Sequence, residues 1–387
     1  MLCPEPPYPL AGGGAWRTAS LLNYLAARCT VDLIVFRQPA APDPRPAIPP
    51  GLARRVDVIE LPPHGRSLPA RALRNAVRFL RGRPPLPDRF GGFENELSAV
   101  LRNRAYEIAL IEHFWCAQYA GLLERCARRV VLDLHNIESA LHASCAAAEP
   151  WPAAAFHRRF SRVCEQMERA LLPRFGCTLT ASDEDTARVR AIAPSARALT
   201  YPNAIPLVEQ PCVAEEDVIA FSANFAYGPN AGAVRFFARD IWPVLSARHR
   251  NLVWRLIGSN AHAVRQYISR CPRVEIVENV SDSVAALASA RVAVAPLLAG
   301  SGTRVKILEA WAAGRAVVST SVGAEGLGAR DGEHLVLADS PAALASAVTG
   351  LLNAPGERLR IGGAGRRLYE QRFTWERAWR ILASRQL

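Results

Sequence analysis

Lysine is all but missing from this chain. Of its 47 Lys+Arg residues a single one, Lys306, is lysine, so every other basic side chain is a guanidinium. No stretch approaches the roughly 18 uncharged apolar residues of a membrane-spanning helix. The opening MLCPEPPYPL has neither the basic region nor the apolar core of a signal peptide. The nine cysteines are scattered and form no C-x-x-C pair. That argues against a metal knuckle or a disulfide framework and for reduced thiols in a cytoplasm. Zinc-finger spacing, an aromatic RNA-binding motif and a basic tail are also lacking, so nucleic acid is not expected. The net charge of +12 and the pI near 9.7 then point to some other anionic partner. What is present suits a globular protein: 387 residues, 50% hydrophobic and 21% charged, enough for two α/β domains with a core each.

In a chain that writes positive charge as arginine, the place of its lysine matters. Residues 291–297, RVAVAPL, read as a buried parallel strand. Gly300, Ser301 and Gly302 then allow a tight turn and close approach of a ligand. From Thr303 the spacing of Val305, Leu308 and Ala312 predicts an amphipathic helix ending at Gly314. A strand, a glycine turn and a helix N-terminus together attract an anion. Cations in that first turn cost roughly 0.3–1 kcal/mol, so Arg304 and Lys306 are either solvated or meet an anion between them. Glu309 shares the helical side of Lys306, where it would pair with the lysine or accept hydrogen bonds from vicinal sugar hydroxyls.

The string GSGTRVKILEAWAAGRAVVSTSVGAEGL resembles the nucleotide-sugar site of family 4 (group 1) glycosyltransferases, retaining enzymes of the GT-B fold. The likeness runs from Pro7 to about Trp379. It implies an α/β protein of two doubly wound Rossmann-like domains facing a central cleft, with the C-terminal helix crossing back to the first domain. Its domains would be 1–200, an acceptor-binding domain, and 207–370, a nucleotide-sugar-binding domain. A linker at 201–206 (YPNAIP) would join them, and 371–387 would be the returning helix. In the family two glutamates flank the donor. Glu309 matches the second, assigned to the ribose; the first falls on Ser301, a departure from the pattern. Catalytic roles pass by resemblance to Lys306, Arg304, Glu309 and His135. Donor binding would involve Gly13, Gly14, Gly300, Ser301, Gly302, Thr303, Ser281 and Asp282, and the acceptor side Arg17, Glu112 and His113. Neither a metal nor another cofactor is expected. The partners would be a nucleotide-sugar donor and a glycan or lipid-linked acceptor.

The N-terminal half carries further signals. Gly12, Gly13 and Gly14 precede a helix predicted over Thr18–Ala27, and three glycines there serve either a phosphate or a flexible turn. The resemblance favours the phosphate. Only Met1, Leu2 and Cys3 come before the prolines at 4, 6, 7 and 9, too few for the central strand that should feed this loop. An upstream start is therefore expected. Over Ser67–Gly82, Arg71, Arg74, Arg78 and Arg81 fall on one helical arc and Leu73, Val77 and Leu80 on a neighbouring one. This is either a helix for an anionic membrane, placing the protein peripherally at the inner face, or an ordinary solvated arginine face. Strands over Ala105–His113 and Arg129–Asn136 end in Glu112, His113, Asp133, His135 and Asn136, and ligands of open α/β sheets bind beyond such ends. Asp183 and Asp185 form a D-x-D, but Ser182 with an acid three residues on reads as a capping box.

Beyond the linker the β-α rhythm repeats from Val218 to the central stretch, as expected for a second doubly wound domain rather than a solenoid. A sugar-nucleotide epimerase of similar fold and a non-catalytic sugar-nucleotide-binding subunit remain the rival readings. A P-loop ATPase is excluded, because GSGTRVK lacks the G-x-x-x-x-G-K-[ST] spacing.

Overall fold

The computed structural model describes residues 1–10, 13–65, 67–278, 280, 282–300 and 304–385. The chain divides into two compact units, Met1–Pro202 and Asn203–Leu387. Each is an α/β sandwich built on one parallel sheet.

The first unit holds seven strands: β1 (Leu2–Cys3), β2 (Asp32–Arg37), β3 (Arg55–Glu60), β4 (Tyr106–Glu112), β5 (Ala127–Asp133), β6 (Cys177–Thr180) and β7 (Ala198–Thr200). Their order is β3-β2-β1-β4-β5-β6-β7. The inner strands are runs such as DLIVF and VVLD, apolar on both faces because helices cover both. The direction of winding reverses between β1 and β4, and in open α/β sheets ligands bind at that switch point, beyond the strands' carboxyl ends. A two-residue strand does fill the central place, contrary to the expectation from the prolines. Leu2 pairs with Ile34 on one side and Ile111 on the other, and Cys3 pairs with Val35. The prolines fall in the loop beyond, where no ladder bond is made.

The helix after that loop, α1 (Gly13–Ala26), begins five residues earlier than Thr18 and takes Gly13 and Gly14 into its first turn. Ser182 does cap the helix Asp183–Ile192, its side chain accepting from the Asp185 N–H at 3.0 Å, with all three acids in the first turn.

The second unit repeats the plan in six strands: β8 (Glu216–Asn224), β9 (Val253–Ser259), β10 (Val274–Glu278), β11 (Ala290–Ala295), β12 (Ala316–Ser319) and β13 (Val336–Leu337). The order is β10-β9-β8-β11-β12-β13, with the switch point between β8 and β11. One core joins Ile219 and Phe221 of β8, Trp254 and Leu256 of β9, and Val292 and Val294 of β11 to the helices beside them. The helical stretch from Gly228 to Arg248 is interrupted by a π turn, Phe237–Ile241, just ahead of Pro243; a proline lacks the N–H that a regular α-helix would need there. The last helix, Trp375–Ser384, is counted with this unit, and Trp375 Nε1 donates to the Ala204 carbonyl at 3.2 Å.

Candidate functional site

At the switch point of the first sheet, β4 ends on Glu112 and the next residue, His113, has φ +61°. A non-glycine residue there stores roughly 1–3 kcal/mol of strain, which its surroundings must hold. They do so from two sides. The His113 N–H donates to the Asp133 carbonyl at 2.9 Å. Its ring stacks on Trp115 at 4.1 Å between centroids and leans on His135 at 3.5 Å. The backbone is thus bent to bring two imidazoles together beside the start of α1. A Cβ placed on Gly14 would lie 3.7 Å from His135 Nδ1 and 3.8 Å from His113 Nε2, so this glycine keeps the space before both rings clear.

Behind the rings lies a buried charge network. Arg17 is 1% exposed. Its Nε donates to one Asp133 oxygen at 2.7 Å, its Nη2 reaches the other, and its Nη1 bonds the Tyr201 carbonyl. His135 Nε2 stands 2.7 Å from Glu112 Oε2 and 3.3 Å from Asp133 Oδ2, and Thr18 donates to the same Glu112 oxygen at 3.1 Å. Burial opposes charge on His135, but its hydrogen bonds to Asp133 and Glu112 outweigh it and raise the pKa. Burial works against ionised Asp133 too, yet Arg17 and His135 hold it down at about 2. Burial and the neighbouring Asp133 push Glu112 upward. His113 moves the other way: burial, then His135 and Arg17, depress it well below the usual imidazole range. The pair is therefore asymmetric, His135 biased toward its charged form and His113 toward its neutral one. Arg17 and Glu112, expected on the acceptor side, have their charges committed inside this network.

Among the described residues Glu112, Asp133 and His135 are the one group arranged closely enough to hold a metal, with ligand atoms all within 4.8 Å. The guanidinium of Arg17 and the imidazole of His135 already supply positive charge there, and both carboxylates bond to them.

At the switch point of the second sheet the chemistry is different. Helix Val305–Ala312 starts directly after Arg304. Gly300, at φ +140°, is required by its backbone; a Cβ on it would also meet the end of the Arg304 guanidinium at 2.8 Å, a contact that this flexible side chain can relieve by shifting. Arg304 is buried and donates to the Val322 carbonyl at 3.2 Å. Lys306, half-buried in the first turn, has its Nζ over the Phe221 ring at 5.8 Å from the centroid. Desolvation, and then Arg304, bring its pKa down to about 7 against the pull of Glu309.

Glu309 is buried, and each carboxylate oxygen takes one hydroxyl: Ser222 of β8 donates at 2.9 Å and Ser283 at 2.8 Å. Burial raises its pKa while the two hydroxyls and Lys306 oppose the rise. Asp282 caps the short helix Ser283–Leu287, accepting from the Ala285 N–H at 2.9 Å. Ser281, Ser301, Gly302 and Thr303, assigned to the donor, lie outside the described residues.

Sequence reasoning missed several members of these sites. Ser222 and Ser283 have no local motif, and only the fold brings them to Glu309. Glu168 was overlooked as well; burial pushes it and Glu138 to about 7, beside Ser139 and Trp115 respectively.

Residues 216–354 match the family profile described as glycosyl transferases group 1. This segment is similar to the group 1 glycosyl transferases. It contains β8, β11 and the helix bearing Lys306 and Glu309. No curated protein matches the sequence. Solved structures do match over the whole length. Sucrose-phosphate synthase from Thermosynechococcus elongatus aligns with a TM-score of 0.76 and 18% identity, covering 100% of this chain and 97% of that one. HepE from Anabaena, in complex with UDP and glucose, gives 0.69 and 15%, with 100% and 98% covered. A glycosyltransferase from Rickettsia africae gives 0.60 and 11%, with 99% and 96% covered. The fold is therefore GT-B.

Proposed function

We propose that the protein is a retaining, metal-independent hexosyltransferase. It would move a sugar from a nucleotide-sugar donor to a glycan, lipid-linked or small-molecule acceptor, in the synthesis of a bacterial polysaccharide or glycolipid. Its place would be the cytoplasm, peripherally at the inner face of the membrane. One observation carries the reading: at the switch point of the matched domain, Arg304 and Lys306 open a helix whose next turn presents Glu309, anchored by hydroxyls from two other elements. Cations at a helix N-terminus suit a diphosphate, and a fixed carboxylate suits vicinal hydroxyls. The HepE complexes with UDP and with UDP-glucose, on a chain of the same fold, support a nucleotide-sugar donor.

The chemistry then follows from charge. As the glycosidic bond breaks, negative charge grows on the leaving diphosphate, and Lys306, Arg304 and the helix amides stabilise that state more than the ground state. In the first unit, the imidazoles of His113 and His135 beside Gly14 offer hydrogen bonds to sugar hydroxyls. The test is to incubate the protein with a panel of nucleotide sugars and follow nucleoside diphosphate release, with and without candidate acceptors. Acceptor-dependent release that survives EDTA is expected. Epimerised donor with no release would replace the transferase by the epimerase reading, and no turnover with tight nucleotide binding would leave a binding subunit.

A further inference from the structure

Helix α2 (Leu68–Arg81) is turned the opposite way from an ordinary amphipathic surface helix. Its inward side is not leucine but arginine. Arg78 is buried and bonds Asp88 at 2.8 Å, and Arg74 lies half-buried against the chain, donating to the Gly65 carbonyl at 3.1 Å. Phe79 completes the seat by packing on Phe156 of the helix Ala153–Leu171 at 4.6 Å. Those arginines, read from the sequence as available to a membrane, are thus largely taken. The outward side carries Pro69, Ala72, Leu73, Ala76, Val77 and Leu80, all exposed. They span an arc of about 140° with no polar residue in it. Leu73 is 68% and Leu80 76% exposed. Exposed Arg81 stands about 40° beyond one edge of this arc, whereas Arg71 lies about 100° beyond the other, on the arginine side.

Contiguous exposed leucines on a 14-residue helix need a cover, and charge decides which. Between Glu60 and Asp88 the chain has six arginines and no acid, and Asp88 is already occupied by Arg78 and Arg83. A second copy docked through this same face would bring the two acid-free, arginine-rich segments together. An anionic surface with an apolar interior meets both demands. We propose that the outward face of α2 docks on an anionic lipid bilayer, with Leu73, Val77 and Leu80 at the headgroup–acyl boundary and Arg81 on lipid phosphates. The proposal deepens the peripheral membrane placement above, and because vesicle binding is read without any glycosyl transfer, it can fail while the transferase reading stands.

The experiment is co-sedimentation of the full chain with phosphatidylglycerol-containing vesicles and with pure phosphatidylcholine vesicles, over a range of salt. Salt-sensitive binding to the anionic vesicles alone is expected. Leu73→Asp with Leu80→Asp, and separately Arg81→Glu, should each weaken it by ~10-fold or more. All three sites are exposed, so unchanged thermal unfolding and elution volume should accompany the loss. No binding of the parent at low salt, equal binding to both vesicle types, or parent-like binding by the leucine variant would overturn the proposal. So would a parent dimer in gel filtration that the leucine variant abolishes, which would make the cover a second copy.

Discussion

Lys306 is the residue on which the donor site is best tested, because its position changes its chemistry. In the free protein desolvation and Arg304 hold it at about 7, so it is charged below that pH and neutral above. A bound diphosphate favours the charged form, and affinity for UDP should therefore be level below pH 7 and weaken as pH rises through that value. In Lys306→Arg the guanidinium stays charged throughout, and isothermal titration should show the bend vanish. A bend of equal size in this variant would assign the titration to another group. Lys306→Ala should lower turnover ~100-fold or more, as expected on losing one preorganised charge contact. Near-parental turnover would move the diphosphate elsewhere. The sequence made this lysine conspicuous by composition alone. It could not show that Glu309 would be held by Ser222 and Ser283, since those contacts span 87 and 26 residues.

Elements were legible where one pattern dominated. The β-branched runs gave buried parallel strands, and Ser182 gave a capped helix. Errors came where local preference and tertiary context disagree. Three glycines read as loop, yet Gly13 and Gly14 belong to the first turn of α1, because closeness to the histidine rings outweighs the low helix propensity of glycine. On α2 the two arcs were read correctly from the helical wheel, but which arc is buried depends on Asp88 and on Phe79 meeting Phe156, and neither is visible in periodicity. The strained His113 stack had no sequence signal at all. For α1 this geometry makes a graded prediction. Gly14→Ala places its Cβ at ordinary contact distance from both rings and should stabilise the helix by roughly 0.5–1 kcal/mol with activity kept. Gly14→Val would project methyls into the cleared space and should cut turnover ~10-fold or more without a comparable fall in Tm. If valine is as active as alanine in a steady-state assay, the space before His113 and His135 is not used by substrate.

For the whole molecule, duplication of the sheet was legible from the repeated rhythm, and the two cores make it physical. Phe221, Trp254 and Leu344 belong to one buried cluster, while Ile34, Ile111 and Leu132 belong to another. Each unit thus has its own apolar interior and its own switch point, and each should unfold as a cooperative block. A ligand that binds one block stabilises that block by RT ln(1 + [L]/Kd), about 2.7 kcal/mol at a hundredfold excess over Kd. With UDP as the probe, differential scanning calorimetry should resolve two transitions, of which only the one belonging to Asn203–Leu387 moves upward. Lys306→Ala identifies it, because this substitution should abolish the shift while leaving the two transitions of the free protein in place. A shift of both transitions together would mean that the units unfold as one. A shift confined to one transition but insensitive to Lys306→Ala would place the nucleotide away from the helix Val305–Ala312, and the donor site built on Arg304, Lys306 and Glu309 would fall with it.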